Sequence, residues 1–113
     1  MSAIAKMTDL EVQLYHDLER CHQGRANTIK GEILAERYGV DKRAIAAAAK
    51  RLVEVFHIPV AAYRTTPKGY CIVTESGDAQ EFVQMLEDTW RSTYRHRREF
   101  QEAFRRLEQG RLL

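Results

Sequence analysis

From Asp78 to Gln109 the chain carries neither glycine nor proline. A helix of roughly 30 residues is about 45 Å long at 1.5 Å per residue. That is more than the diameter of a domain built from 113 residues. The first half, with Phe82, Val83, Leu86 and Trp90, is expected to pack on a core. The second half, with Phe100, Phe104 and Leu107 at i, i+4 and i+7, is expected to extend past it. Exposed apolar stripes of this kind usually bury themselves in a partner. A homodimer held by Phe100, Phe104 and Leu107 is the simplest such arrangement. The helix is expected to start at Asp78, with Glu81 completing a capping box.

The rest of the chain reads as alternating short elements. Thr8-Asp-Leu-Glu11 is a capping box, in which hydroxyl and carboxylate satisfy the free amides of a helix start. A first helix is predicted over Asp9–His22, with Leu10, Leu14, Leu18 and Cys21 inward and Gly24 past its end. Asn27-Thr28-Ile29 is a short strand candidate. A second helix is predicted over Gly31–Tyr38, with Ile33, Leu34 and Tyr38 inward. Gly39 stops it, because glycine takes the left-handed conformation at a helix C-terminus, and Val40 plugs the core. Asp41 caps a third helix that carries Ile45, Ala48, Ala49, Leu52 and Phe56 on one face. Pro59 cannot donate to a helix ladder and ends it. Val60–Tyr63 and Tyr70–Thr74 read as two strands joined by the turn Thr65-Thr-Pro-Lys-Gly69.

The formal net charge is only +2, but it is uneven. Residues 1–23 sum to −2. Residues 24–70 hold nine bases against four acids, and residues 90–113 seven arginines against three acids. Residues 78–88 hold four acids and no base. Two basic segments in a near-neutral chain point to local anionic partners. Cys21 and Cys71 have no CxxC spacing and read as reduced thiols in a cytoplasmic protein. The N-terminus lacks the apolar run of a signal peptide, and no stretch is apolar enough for a membrane span, so no membrane partner is expected. His16, His22, His57 and His96 lack metal-ligand spacing with the cysteines. No Ser-His-acid set or glycine-rich phosphate loop is present, so neither an enzyme nor a cofactor is expected.

The segment Ile33–Leu52, with Leu34-Ala35, Gly39-Val40, Ile45 and Leu52, followed by Ile58-Pro-Val60 and Lys68-Gly-Tyr70, resembles a winged helix-turn-helix. It is similar to the front domain of biotin-repressor-type regulators and to small winged proteins of bacteria and their phages. The expected fold is therefore mainly α with a small β-hairpin wing (α+β). A winged helix-turn-helix covers residues 8–75, and a long C-terminal helix covers residues 78–109. The resemblance implies a DNA-binding transcriptional regulator. Its recognition helix, residues 41–56, would enter the major groove, with residues 60–74 as the wing. Opposite the core row stand Lys42, Arg43, Ala46, Ala47 and Lys50. Arg43 suits a guanine, the lysines suit phosphates, and the alanines suit a thymine methyl. Arg64, Thr65, Thr66 and Lys68 at the wing tip suit phosphate or minor-groove contact. Lys30, before the second helix, suits a phosphate at the helix start. Asp41 departs from the Ser or Thr that often opens a recognition helix. The few polar base readers keep an alternative open: a winged module, or a phage-encoded inhibitor, that binds a protein instead of double-stranded DNA.

Overall fold

Thr8 closes the start of the first helix on itself. Its hydroxyl accepts from the Glu11 amide at 3.2 Å, and Glu11 Oε1 accepts from the Thr8 amide at 3.1 Å. The structure, a computed structural model, describes residues 6–112. The expectation about a leader rests partly on residues 1–5, which lie outside them. From this box α1 runs over Asp9–Cys21. Leu14 and Leu18 are fully buried along it, while Cys21, expected on the same stripe, is exposed in the last turn.

The second and third helices form a tight pair. α2 spans Gly31–Tyr38 and α3 spans Lys42–Glu54. Between them Gly39 adopts φ +68°, and the amide of Val40 reaches back to the Ala35 carbonyl at 3.0 Å. Asp41 caps α3 by accepting from the Ala44 amide at 2.8 Å. Leu34 and Ala35 bury the inner row of α2, with Tyr38 packed on the core beside them. Ile33 lies one residue off that row and is exposed, against the sequence expectation. α3 buries Ile45, Ala48, Ala49 and Leu52, with Phe56 partly covered. Each fully buried Leu or Ile contributes roughly 1.5–3 kcal/mol, and five of them (Leu14, Leu18, Leu34, Ile45, Leu52) meet in one cluster. α3 ends at Glu54, ahead of Pro59, and the turn after it contains His57, a non-glycine residue with φ 57°.

The hairpin follows. β1, Val60–Tyr63, pairs antiparallel with β2, Gly69–Ile72, so that Ala61 faces Cys71 and Ala62 faces Tyr70. The two edges of β2 have different partners. The amide of Val73, just beyond β2, turns to the β1 side and donates to the Pro59 carbonyl. Tyr70 and Ile72 turn the other way: Ile29 exchanges both backbone bonds with Tyr70 at 2.8 and 2.9 Å, and the Ile72 amide donates to His22. The strand expected at Asn27–Ile29 is thus a single bridge at Ile29, preceded by a 3-10 turn over Arg25–Asn27.

α4 runs over Ser76–Leu112 as one helix. It starts two residues before the expected cap, so Asp78 lies in its first turn. The chain divides into two units, residues 1–82 and residues 83–113. Phe82 belongs to the first and packs with Ala61, Tyr63 and Cys71. Val83, Leu86 and Trp90, expected in the core, are all exposed, as are Phe100, Phe104 and Leu107. The structure is thus mainly helical with a small two-stranded antiparallel sheet. No helix among the described residues is long and apolar enough to cross a membrane.

Candidate nucleic-acid interface

The face of α3 away from the core is settled by its alanines. Ala48 and Ala49 are buried against neighbouring elements, so Ala46 and Ala47 must point out, and both are exposed. Lys42, Arg43 and Lys50 flank them at helical spacing and are exposed as well. The five residues form one continuous surface, about 12 Å from Lys42 to Lys50 at 1.5 Å per residue. The shape is that of a smooth methyl patch with bases at both ends. Arg43 can donate two parallel hydrogen bonds, Lys42 and Lys50 can each approach a phosphate, and the alanines leave room for close approach of a flat or grooved partner.

The hairpin tip is a second exposed cluster, carrying Arg64, Thr65, Thr66 and Lys68. It is held from outside by Arg25, a residue that sequence reasoning did not single out. The Arg25 guanidinium donates to the carbonyls of Thr65 (3.1 Å) and Pro67, and to the Thr65 hydroxyl at 3.3 Å. It stacks on the Tyr63 ring at 3.8 Å from the centroid, and its Nε pairs with Glu81 at 3.3 Å. Tyr63 in turn donates its hydroxyl to the Asp78 carbonyl at 2.9 Å. The Thr65 hydroxyl is therefore already a partner of Arg25. Arg25 stands in a loop with no periodic pattern around it, and its partners lie some 40 positions away; no local signal marks it. Beneath this latch, burial pushes the Cys71 thiol up to about 11, with Arg25 opposing the shift.

Gly69 ties the tip to the start of α2. It has φ +130°, and a Cβ there would stand 2.3 Å from the Ile29 carbonyl oxygen and 2.9 Å from the Lys30 nitrogen. The Thr28 hydroxyl reaches the Pro67 carbonyl at 3.3 Å. Lys30, exposed at the N-cap of α2, thus shares a neighbourhood with the hairpin tip. Glu32 in the first turn of α2 sets an acid beside it.

The nine bases of residues 24–70 divide cleanly. Arg25, Arg37 and Arg51 are engaged with Glu81, Asp17 and Glu11. The remaining six, Lys30, Lys42, Arg43, Lys50, Arg64 and Lys68, make no ion pair among the described residues and are all exposed. They are the six bases of the candidate surface. Phe100, Phe104 and Leu107, the expected dimer stripe, belong to the other unit and are exposed. Among the described residues no three His, Cys, Asp or Glu side chains assemble a metal-binding group. No family model matches the chain, and no match is found among curated proteins or solved structures.

Proposed function

We propose that the chain is a winged helix-turn-helix protein that binds double-stranded DNA and acts as a transcriptional regulator in the cytoplasm. The observation that carries this reading is the division of bases within residues 24–70: those not neutralised inside the fold are the ones on the outer face of α3, at the hairpin tip and at the start of α2. Bases kept free of intramolecular carboxylates are available to release counterions from phosphates. The left-handed turn at Gly39 and the bridge from Ile29 to β2 support the winged reading. In this arrangement α3 enters the major groove with Arg43 toward base edges, and the tip contacts the backbone.

The exposed Ala46-Ala47 pair favours a second reading, a protein-binding module with the same surface, because methyl groups discriminate few bases. Fluorescence anisotropy against duplex DNA from 50 to 200 mM salt separates the two. With Arg43 on base edges, five phosphate-contacting bases predict a slope of log K against log salt of about −4.5. No duplex binding at low salt refutes the DNA reading and leaves the protein partner.

A further inference from the structure

The helix beyond Phe82 carries an apolar seam longer than the Phe100, Phe104, Leu107 stripe. Starting at Val83, alternate steps of three and four residues reach Leu86, Trp90 and Thr93. The same steps continue from Arg97 to Phe100, Phe104 and Leu107. All lie on one α-helix, and every apolar member is exposed, from Phe104 at 48% to Trp90 at 66%. A 3-4 alternation sustained over more than three heptads is the pattern of a coiled-coil seam about 36 Å long.

We propose that this seam pairs with the same seam of a second copy of the chain in antiparallel register, centred between Thr93 and Arg97. The pattern is nearly the same read from either end: three apolar positions, Thr and Arg, then three apolar positions. Antiparallel pairing sets Val83 against Leu107, Leu86 against Phe104 and Trp90 against Phe100 of the partner subunit. Thr93 then meets Arg97 of the partner subunit.

Charge selects this direction over the parallel one. Parallel pairing stacks Arg97 on Arg97 of the partner subunit inside the seam, a like-charge contact with nothing to offset it. Antiparallel pairing gives each Arg97 a small hydroxyl neighbour and room to lead its guanidinium out to water. The rows flanking the seam are open to it as well: Thr89, His96 and Ala103 on one side, and Tyr94 and Gln101 on the other, put no lysine or arginine there. This inference stands apart from the DNA reading and is measured without DNA.

Trp90 is the single tryptophan, so its emission reports the seam directly. In light scattering the full chain is a dimer at tens of micromolar, and Trp90 emission shifts to the blue as concentration rises. The Phe100→Asp, Phe104→Asp double variant is monomeric and keeps red-shifted emission. Direction is read by disulfide trapping in a C21S background. V83C mixed with L107C cross-links, while neither variant cross-links alone. A monomeric wild type overturns the proposal. So does a dimer in which V83C or L107C links to itself, or one in which the mixture fails to link.

Discussion

Glu11, almost fully buried, receives Arg51 Nε at 2.5 Å on one carboxylate oxygen and the Thr8 amide on the other. One side chain thus both starts α1 and fastens α1 to α3, across 40 positions of sequence. Arg51 is half exposed, so solvent screens its side of the pair. Arg51→Ala leaves the carboxylate without its charged partner and is expected to cost about 1–3 kcal/mol. Glu11→Ala also opens the capping box and should cost more, by about 1 kcal/mol. Denaturant titration of the two variants checks the order; equal or negligible losses would show that the pair does not hold the helices.

Arg43→Ala separates reading from folding. Arg43 is exposed and meets no carboxylate among the described residues. The variant should bind its duplex about 1–3 kcal/mol more weakly and lose selectivity at one base pair, with an unchanged melting temperature. Lys50→Ala should weaken binding to every sequence alike and lower the salt slope by about one. Anisotropy on a panel of single-substitution duplexes distinguishes these. An Arg43 variant with unaltered base preference removes that residue from base reading.

The helix end at Gly39 and the turn after α3 use left-handed backbone with different residues. Gly39 has φ +68° and open space around its Cβ position, so a side chain there costs conformation alone. Gly39→Val should lose about 1–2 kcal/mol, and Gly39→Asn much less. His57 has φ 57° without being glycine. His57→Gly should therefore gain up to about 1 kcal/mol, the relief of strain exceeding the entropy added to the unfolded chain. Thermal melts of the three variants decide it.

Gly69 is constrained by space as well as by φ. Gly69→Ala drives a methyl into the Ile29 carbonyl and must break the Ile29–Tyr70 bridge or shift the hairpin tip. It should destabilise more than Gly39→Ala does. Hydrogen exchange at the Tyr70 amide, bonded to Ile29 at 2.8 Å, should speed up in the variant. Preserved protection there would mean that the close approach is absent.

The two thiols give a pH test. Cys21 is exposed and Cys71 fully buried. A thiol reagent at pH 8 should modify Cys21 at once and Cys71 only on unfolding. Burial raises Cys71 from its ordinary 9.0 to about 11, so the native state holds a proton that the unfolded chain releases first. Stability from this group is therefore intact below pH 9 and lost as pH rises from 9 to about 11. Burial, together with the Asp17 contact, raises Tyr38 as well, which extends the alkaline loss. Urea midpoints that stay flat through pH 10 would contradict this.

Helix positions were legible because they rest on local signals: the Thr8–Glu11 box, Gly39 and Asp41 mark boundaries that the structure keeps. The outer face of α3 followed from the same periodicity. Arg25, Glu11 and Arg51 were not legible as partners, since an ion pair between distant residues leaves no pattern in either neighbourhood. Val83, Leu86 and Trp90 read as core residues because an apolar side chain announces that it will be covered, but not by what. Ile33 shows the same limit over one turn of helix.

The latch at Arg25 makes the hairpin tip answerable to a side chain outside it. Thr65 and Pro67 are gripped mainly through their carbonyls, which every residue type supplies alike, with the Thr65 hydroxyl as one further acceptor. Substitutions among the tip side chains can therefore vary the chemistry presented to a partner while the loop keeps its path. A change at Arg25 would act inversely, leaving the tip's composition intact and releasing its shape. Grafting different tip sequences onto this frame is thus a practical route to new specificities, provided Arg25, Tyr63 and Glu81 travel together.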